Sequence, residues 1–362
     1  MNKPGLTEDG IDGVLASAVH GRGWALCVGA GTSLPAFPDW NRLVERLIAR
    51  CTQDDPAALS EALRQLFTAD ALIQAASTLS GRDPNDFSSL LTQELYRDFL
   101  DAFEPSAHAT VIRALAALRP GDLPARQWQR FLDALDGRWG NRMSCLSLAP
   151  IVSETLGTPQ APSTILSFNA EPLLLAAIHA HQACTHHAPG GVPQRLDRVV
   201  RGISNRATHR VPYVFCHGLL PIPGAKPSQY TASPDKLVFS EASYLQLAGN
   251  VYSWQATSFI ETCAARRVVF VGLSLSDANM RRWLSWVHDS RVDELEQIDQ
   301  GDAVSTQHYW LNCDPGDPQL RTWIEASVAH LGVRLVWLRS WANIGPTLRA
   351  MLGPITPGPS DR

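Results

Sequence analysis

The chain has 362 residues, 45% hydrophobic and 18% charged, enough apolar material for a sizeable core and too little charge for a disordered polymer. A formal charge of −4 and a pI near 6.3 argue against a generally basic nucleic-acid binder, although Arg266-Arg267 and Arg281-Arg282 are local positive pairs. The polar, acidic start MNKPGLTEDGIDG lacks the pattern of a secretory signal and no apolar run reaches membrane-spanning length, so a soluble, cytoplasmic protein without membrane contact is expected.

In chain order, the β-like runs are 24–28 (WALCV), 164–168 (TILSF), 213–216 (YVFC), 237–240 (LVFS), 268–272 (VVFVG), 309–312 (YWLN) and 333–338 (VRLVWL). Most are apolar without alternation, the pattern of strands covered on both faces. Helical patterns at 39–51, 171–183, 241–265, 277–292 and 317–331 separate most of them. Strand alternating with helix predicts an α/β fold, a doubly wound and mainly parallel Rossmann-like sheet.

The interval 52–160 reads differently, with helical patterns such as ALSEALRQLF, DFSSLLTQELYRDFLDAF and QWQRFLDALDG between Pro/Gly breaks. It predicts an inserted α-helical lobe, leaving 1–51 and 161–353 as the sheet domain and 354–362 (PITPGPSDR) as a tail. Segments 185–211 and 221–235 are rich in loop-forming residues, and no internal repeat is visible.

The seven cysteines lack a close CxxC pair, and Cys27 and Cys216 sit in apolar runs, so reduced, buried thiols are expected. Cys184, His186 and His187 form the one cluster worth testing as a zinc site. Without a second ligand pair at suitable spacing, no metal is expected.

Gly29-Ala30-Gly31-Thr32-Ser33 follows the first strand and precedes a helical pattern, as phosphate-cradling turns do. A P-loop is excluded because the Lys-Ser/Thr pair is missing, and the dinucleotide fingerprint breaks at Leu34. A plain tight turn is the alternative for this loop. Three more strand ends are polar: Asn169-Ala170-Glu171, His217-Gly218 and Gly272-Leu273-Ser274-Leu275-Ser276-Asp277. In an open parallel sheet such ends can converge on one crevice.

These residues carry a resemblance. GAGTSLPAFPDW is similar to the GAGxS loop of sirtuins and its Pro-Asp-aromatic continuation, SFNAE to their Asn motif, and CHG to their His-Gly. LVFSEASY, GLSLSDANMRRWL and YWLNCD resemble later segments of the same family, and the order is right along residues 27–314. The chain resembles the bacterial anti-phage NADase branch of the sirtuin-like family more than the protein deacetylases, because the CxxC…CxxC zinc ribbon is missing.

The resemblance implies NAD as substrate. Gly29, Ala30, Gly31, Thr32 and Ser33 would hold its pyrophosphate, Gly272 and Ser274 would lie near the adenosine-side ribose, and Asn312 would contact that ribose. Asn169 would orient water or a ribose hydroxyl, and His217 would act as the base, since an imidazole titrates near neutrality. Glu171 stands where the family has Asp, one methylene longer. Asp39 and Asp277 read equally as helix caps, and Trp40 as packing or as a cover over the nicotinamide side.

The implied activity is NAD glycohydrolysis to nicotinamide and ADP-ribose, an effector function in anti-phage defence by NAD depletion. Such an activity needs restraint, which implies a homo-oligomer or a separate sensor or regulatory protein. A nucleotide-binding module of a larger complex and an NAD-dependent protein deacylase are the alternatives.

Overall fold

The computed structural model describes residues 4–19, 23–52, 56–81, 84–185, 192–202, 209–225, 237–298 and 308–356. The strands among them are β1 Leu6–Thr7, β2 Trp24–Val28, β3 Ile165–Ser167, β4 Leu196–Val199, β5 Val211–Phe215, β6 Arg267–Val271, β7 His308–Cys313 and β8 Val333–Leu338. They form one eight-stranded sheet in the order β1-β8-β7-β6-β2-β3-β5-β4. Every pairing is parallel, as the uninterrupted apolar runs predict. The fold is α/β and Rossmann-like.

The helices are α1 Ala16–Val19, α2 Trp40–Cys51, α3 Pro56–Arg64, α4 Ala69–Leu79, α5 Pro84–Asp101, α6 Pro105–Ala116, α7 Ala125–Arg138, α8 Ser144–Thr155, α9 Leu173–Thr185, α10 Glu241–Gly249, α11 Trp254–Ala265, α12 Ala278–Gln297, α13 Pro318–Ala329 and α14 Ile344–Leu352. Alternate residues of β2 face opposite layers: Trp24, Leu26 and Val28 join a core with α2, α4 to α9 and α14, while Ala25 and Cys27 join a second core with α10 to α13. The helices α3 to α8, inserted between β2 and β3, therefore extend the layer on one face of the sheet. A buried ionic seam ties them to α2: Arg46 reaches the Glu94 carbonyl and the Asp98 carboxylate, and the fully buried Glu94 carboxylate takes Arg50 and Arg97.

Two expectations need correction. Residues 237–240 form no strand; the run is apolar because Leu237 and Phe239 enter one core and Val238 the other, and its link to β5 is the bond from Val238 N–H to the His217 carbonyl at 3.0 Å. The pattern 241–265 is two helices, restarted where the Ser253 hydroxyl caps α11 through Ala256 N–H. The edge strand β4 hid in a segment read as loop because Asp197 and Arg198 are only partly covered there. Pro354 and Thr356, read as part of a tail, accept hydrogen bonds from the Gln160 side chain.

The site position follows from the strand order. After β2 the chain builds β3, β4 and β5 on one side, then crosses to β6 on the other. The carboxyl ends of β2, β3, β5 and β6 therefore surround the switch point, where open α/β sheets bind ligands.

Candidate active site

The glycine loop packs against the loop after β6. A Cβ on Gly31 would lie 2.9 Å from Gly272 Cα, and one on Gly272 would lie 2.5 Å from Thr32 N, with Gly272 also at φ +66°. Only glycine fits both positions. The small residues thus serve contact between two loops, and their amides are committed: Gly29 N–H donates to Val271, Gly31 N–H to Gly272, Thr32 N–H to Gly29 and Ser33 N–H to Ala30. Phosphate contact through those four groups requires the loop to open. Nor does a helix follow directly; a short turn over Ala30–Thr32 comes first, and the positive end of α2 is covered by the Asp39 carboxylate, which accepts from Arg42 N–H at 2.8 Å.

Beside this loop, Asn169 follows β3 and is buried. Its Nδ2 donates to Glu171 Oε1 at 2.9 Å and lies 3.2 Å from Ser33 Oγ and 3.3 Å from Thr32 Oγ1. A carboxylate can only accept, so the neighbour fixes which way the amide faces. Its Oδ1 is left buried with no hydrogen-bond partner. Glu171 is a clamp: Oε1 also accepts from Ser33 Oγ at 2.5 Å, and Oε2 accepts from Leu173 N–H at the start of α9. One carboxylate thereby ties strand end, glycine loop and helix start together. Burial raises its pKa from the ordinary value, while the bonds from Ser33, Leu173 and Asn169 pull it back.

Ala30, Ser33, Phe37, Pro38, Asp39, Trp40, Phe168, Asn169, Glu171 and Phe239 are among the walls of a partly open cleft. His217 lines a second, small space with Tyr244, Asp277 and Asn279, and Phe168 lines both. Asn169 and His217 therefore line different spaces that share Phe168, whose ring lies edge-on 4.9 Å from the imidazole.

Aromatic rings enclose His217: Tyr244 at 5.5 Å, Trp40 at 6.3 Å and Phe239 at 6.5 Å complete the box with Phe168. Burial pushes its pKa down to about 4, and the Asp277 charge acts the other way. The imidazole is therefore neutral at neutral pH and able to accept a proton. Trp40 packs on Phe239 and lines the cavity.

Asp277 caps α12 by accepting from Met280 N–H at 2.8 Å and lines the His217 space as well. Between Gly272 and Asp277, Leu275 holds φ +52°, a conformation costing about 1 kcal/mol or more, kept in place by its own burial and by Arg281 on its carbonyl. Ser274 is exposed and bonded to Ser276, and Asn312 is half-buried in β7; neither lines a cavity described above. Phe168, Phe239, Tyr244 and Asn279 were not singled out from sequence. Their apolar or neutral character carries no chemical signature until the fold places them around His217.

Among the described residues, no group of three or more His, Cys, Asp or Glu side chains stands where it could hold a metal ion. Cys184 donates weakly to the Ala125 carbonyl, and His186 and His187 lie outside the described residues. All seven cysteines are free thiols, and burial raises the pKa of Cys27, Cys145, Cys216 and Cys263, which makes them inert. No described helix is long and apolar enough to cross a membrane.

Residues 204–331 match the family model of the SIR2-like domain. The matched segment contains His217, the Gly272–Asp277 loop and Asn312, while Asn169 and the glycine loop precede it and join it through the contacts above. SIR2-like domains are typically NAD-dependent enzymes, and the sheet and switch point agree with that class. No curated protein matches the chain.

Proposed function

We propose that this SIR2-like protein cleaves NAD to nicotinamide and ADP-ribose. The observation that carries the reading is the orphaned Oδ1 of Asn169. Its Nδ2 is turned toward Glu171, Ser33 and Thr32, so the amide oxygen is the atom left to accept from an O–H donor in the cavity, as a ribose hydroxyl or an attacking water is. The bond to nicotinamide breaks through an oxocarbenium-like state whose leaving group departs neutral, so no strong acid is required. Asn169 orients the attacking oxygen and neutral His217 takes its proton.

Both residues serve one ribose where the two spaces meet at Phe168. The phosphates sit over the paired glycine loops, with Ala30, Thr32 and Ser33 closest to Asn169. Restraint by self-assembly or by a separate sensor protein follows from the toxicity of unchecked NAD loss, and the anti-phage setting rests on the sequence resemblance. The test is product analysis of the purified full chain with NAD, with and without an acetyl-lysine peptide. Free ADP-ribose and nicotinamide in both arms are expected. Acetylated ADP-ribose would indicate deacylation, and NAD bound without nicotinamide release would leave a nucleotide-binding module.

A further inference from the structure

Two helices contribute walls to the cleft beside Asn169, and a row of charges joins them. Trp40 and Leu43 of α2 line one part of it and Leu95 of α5 another. Arg42, Arg46 and Arg50 are spaced four apart on α2 and so form one row along the helix. All three reach α5. Arg46, itself buried, donates through Nη1 to the Glu94 carbonyl at 2.7 Å and through Nη2 to the Asp98 carboxylate. Arg42 lies 3.4 Å from the same Asp98 carboxylate, and Arg50 Nε donates to the fully buried Glu94 carboxylate at 2.7 Å. Ahead of α2, Phe37 packs on α5 as well, stacked on Phe99 at 4.6 Å and edge-on to Tyr96 at 5.3 Å.

We propose that Arg46, through Glu94 and Asp98, is a positioning residue that sets the width of the cleft, so that the inserted helices govern how NAD is held. The Arg46 fork grips α5 at residues 94 and 98, which bracket the cleft-lining Leu95, and it leaves α2 three residues after the cleft-lining Leu43. A shift between the helices at the fork therefore moves both walls. Apolar contacts can slide, because dispersion has no direction, whereas a planar guanidinium that holds a carbonyl and a carboxylate at once accepts one geometry. Burial reinforces this. The Glu94 carboxylate is met by Arg50 and Arg97, and with no water to turn to it keeps those partners. A buried ion pair adds little net stability over apolar packing, so what it contributes at this junction is a fixed geometry.

The effect on NAD rests on the NAD-cleavage reading, but the placement of α2 belongs to the resting protein and is measured without NAD. Trp40 is the reporter, because it opens α2, lines the cleft and lies 5.3 Å from Phe239 and 6.3 Å from His217.

The measurement is fluorine NMR of the full chain labelled with 5-fluorotryptophan. Trp40 is assigned by the signal lost in Trp40→Phe, and Trp283, in the core on the other face of the sheet, by the signal lost in Trp283→Phe. Arg46→Lys keeps the charge but cannot hold carbonyl and carboxylate together. Asp98→Asn removes the charge that the fork and Arg42 share, and because the Asp98 side chain is 39% exposed, water covers the loss and the fold survives. In both variants the Trp40 signal is expected to move or broaden while Trp283 stays in place. KM for NAD should rise about threefold or more at nearly unchanged kcat, since the groups that act on the ribose are untouched. A Trp40 signal at its wild-type position in both variants would overturn the proposal, as would an unchanged KM, and neither result touches NAD cleavage itself. Movement of Trp283 along with Trp40 would mark a general loosening and overturn it too. A Trp40 signal that moves alone in a chain releasing no nicotinamide would uphold the positioning role and remove the proposed function.

Discussion

Asn169 and His217 line spaces that share one phenylalanine, but opposite physics holds them. Around Asn169 the contacts are directional: Glu171, Ser33 and Thr32 claim Nδ2 and leave Oδ1 bare. Around His217 the contacts are rings, with a single 3.3 Å bond to Tyr244. The contrast matches what each group has to do. An amide acts through whichever atom is left free, so its orientation must be held by hydrogen bonds. A base acts through its proton affinity, and burial in an apolar box tunes that without fixing any other atom. Phe168 belongs to both arrangements, which makes it the place where they are joined or kept apart.

The sharpest way to break the comparison is to remove one residue from each side. Asn169→Ala and His217→Ala should each lower NAD turnover roughly a hundredfold or more, with NAD affinity by calorimetry largely kept. Folded variants that bind NAD and turn over at the parent rate would defeat the assignment of both residues.

Acid and base titration should then pull the two sides in opposite directions. His217 is pushed from 6.5 down to about 4, so below pH 6.5 the unfolded chain takes up a proton that the folded chain refuses. Stability falls through this group as pH drops from 6.5 to about 4, with buried His179 and His308 adding to the loss. Glu171, raised from 4.5, works the other way, because above 4.5 the folded chain retains a proton that the unfolded chain releases, and stability falls as pH rises toward its folded value. Urea midpoints against pH for His217→Gln and Glu171→Gln should each lose one of these slopes. Through His217, whose ring stays neutral down to about 4, turnover should persist as pH falls through 6.5, with Asp277 and Tyr244 lining the same space.

The smallest effect should come from Glu171→Gln at neutral pH. The glutamine keeps an oxygen for Ser33 or for Leu173 N–H but not the full set of acceptors, so Asn169 loosens. A loss in kcat of about tenfold, with KM nearly constant, is expected from a group that acts through Asn169. If KM rises instead with kcat unchanged, Glu171 contacts substrate, and the clamp reading fails.

Much of this molecule was legible in the sequence. The apolar runs at 24–28, 268–272, 309–312 and 333–338 fall on β2, β6, β7 and β8. A parallel strand buried on both faces has no polar positions, and these runs carry that mark. The polar residues just past those runs were visible for the same reason. Residues 237–240 carried an identical mark and form no strand, because apolarity records burial and not hydrogen-bond pairing. The edge strand β4 left no such mark, since Asp197 and Arg198 are only partly covered.

The site's inner order was decided by packing alone. The pressure of Gly31 on Gly272, the reach of Glu171 across three elements, the wall made by Phe168, and Tyr244 set against His217 each depend on residues far apart in the chain. Sequence periodicity encodes which face of an element is buried. Distances between side chains at the ends of different strands depend on register, crossover and layer, and these exist only once the sheet has closed around its two cores.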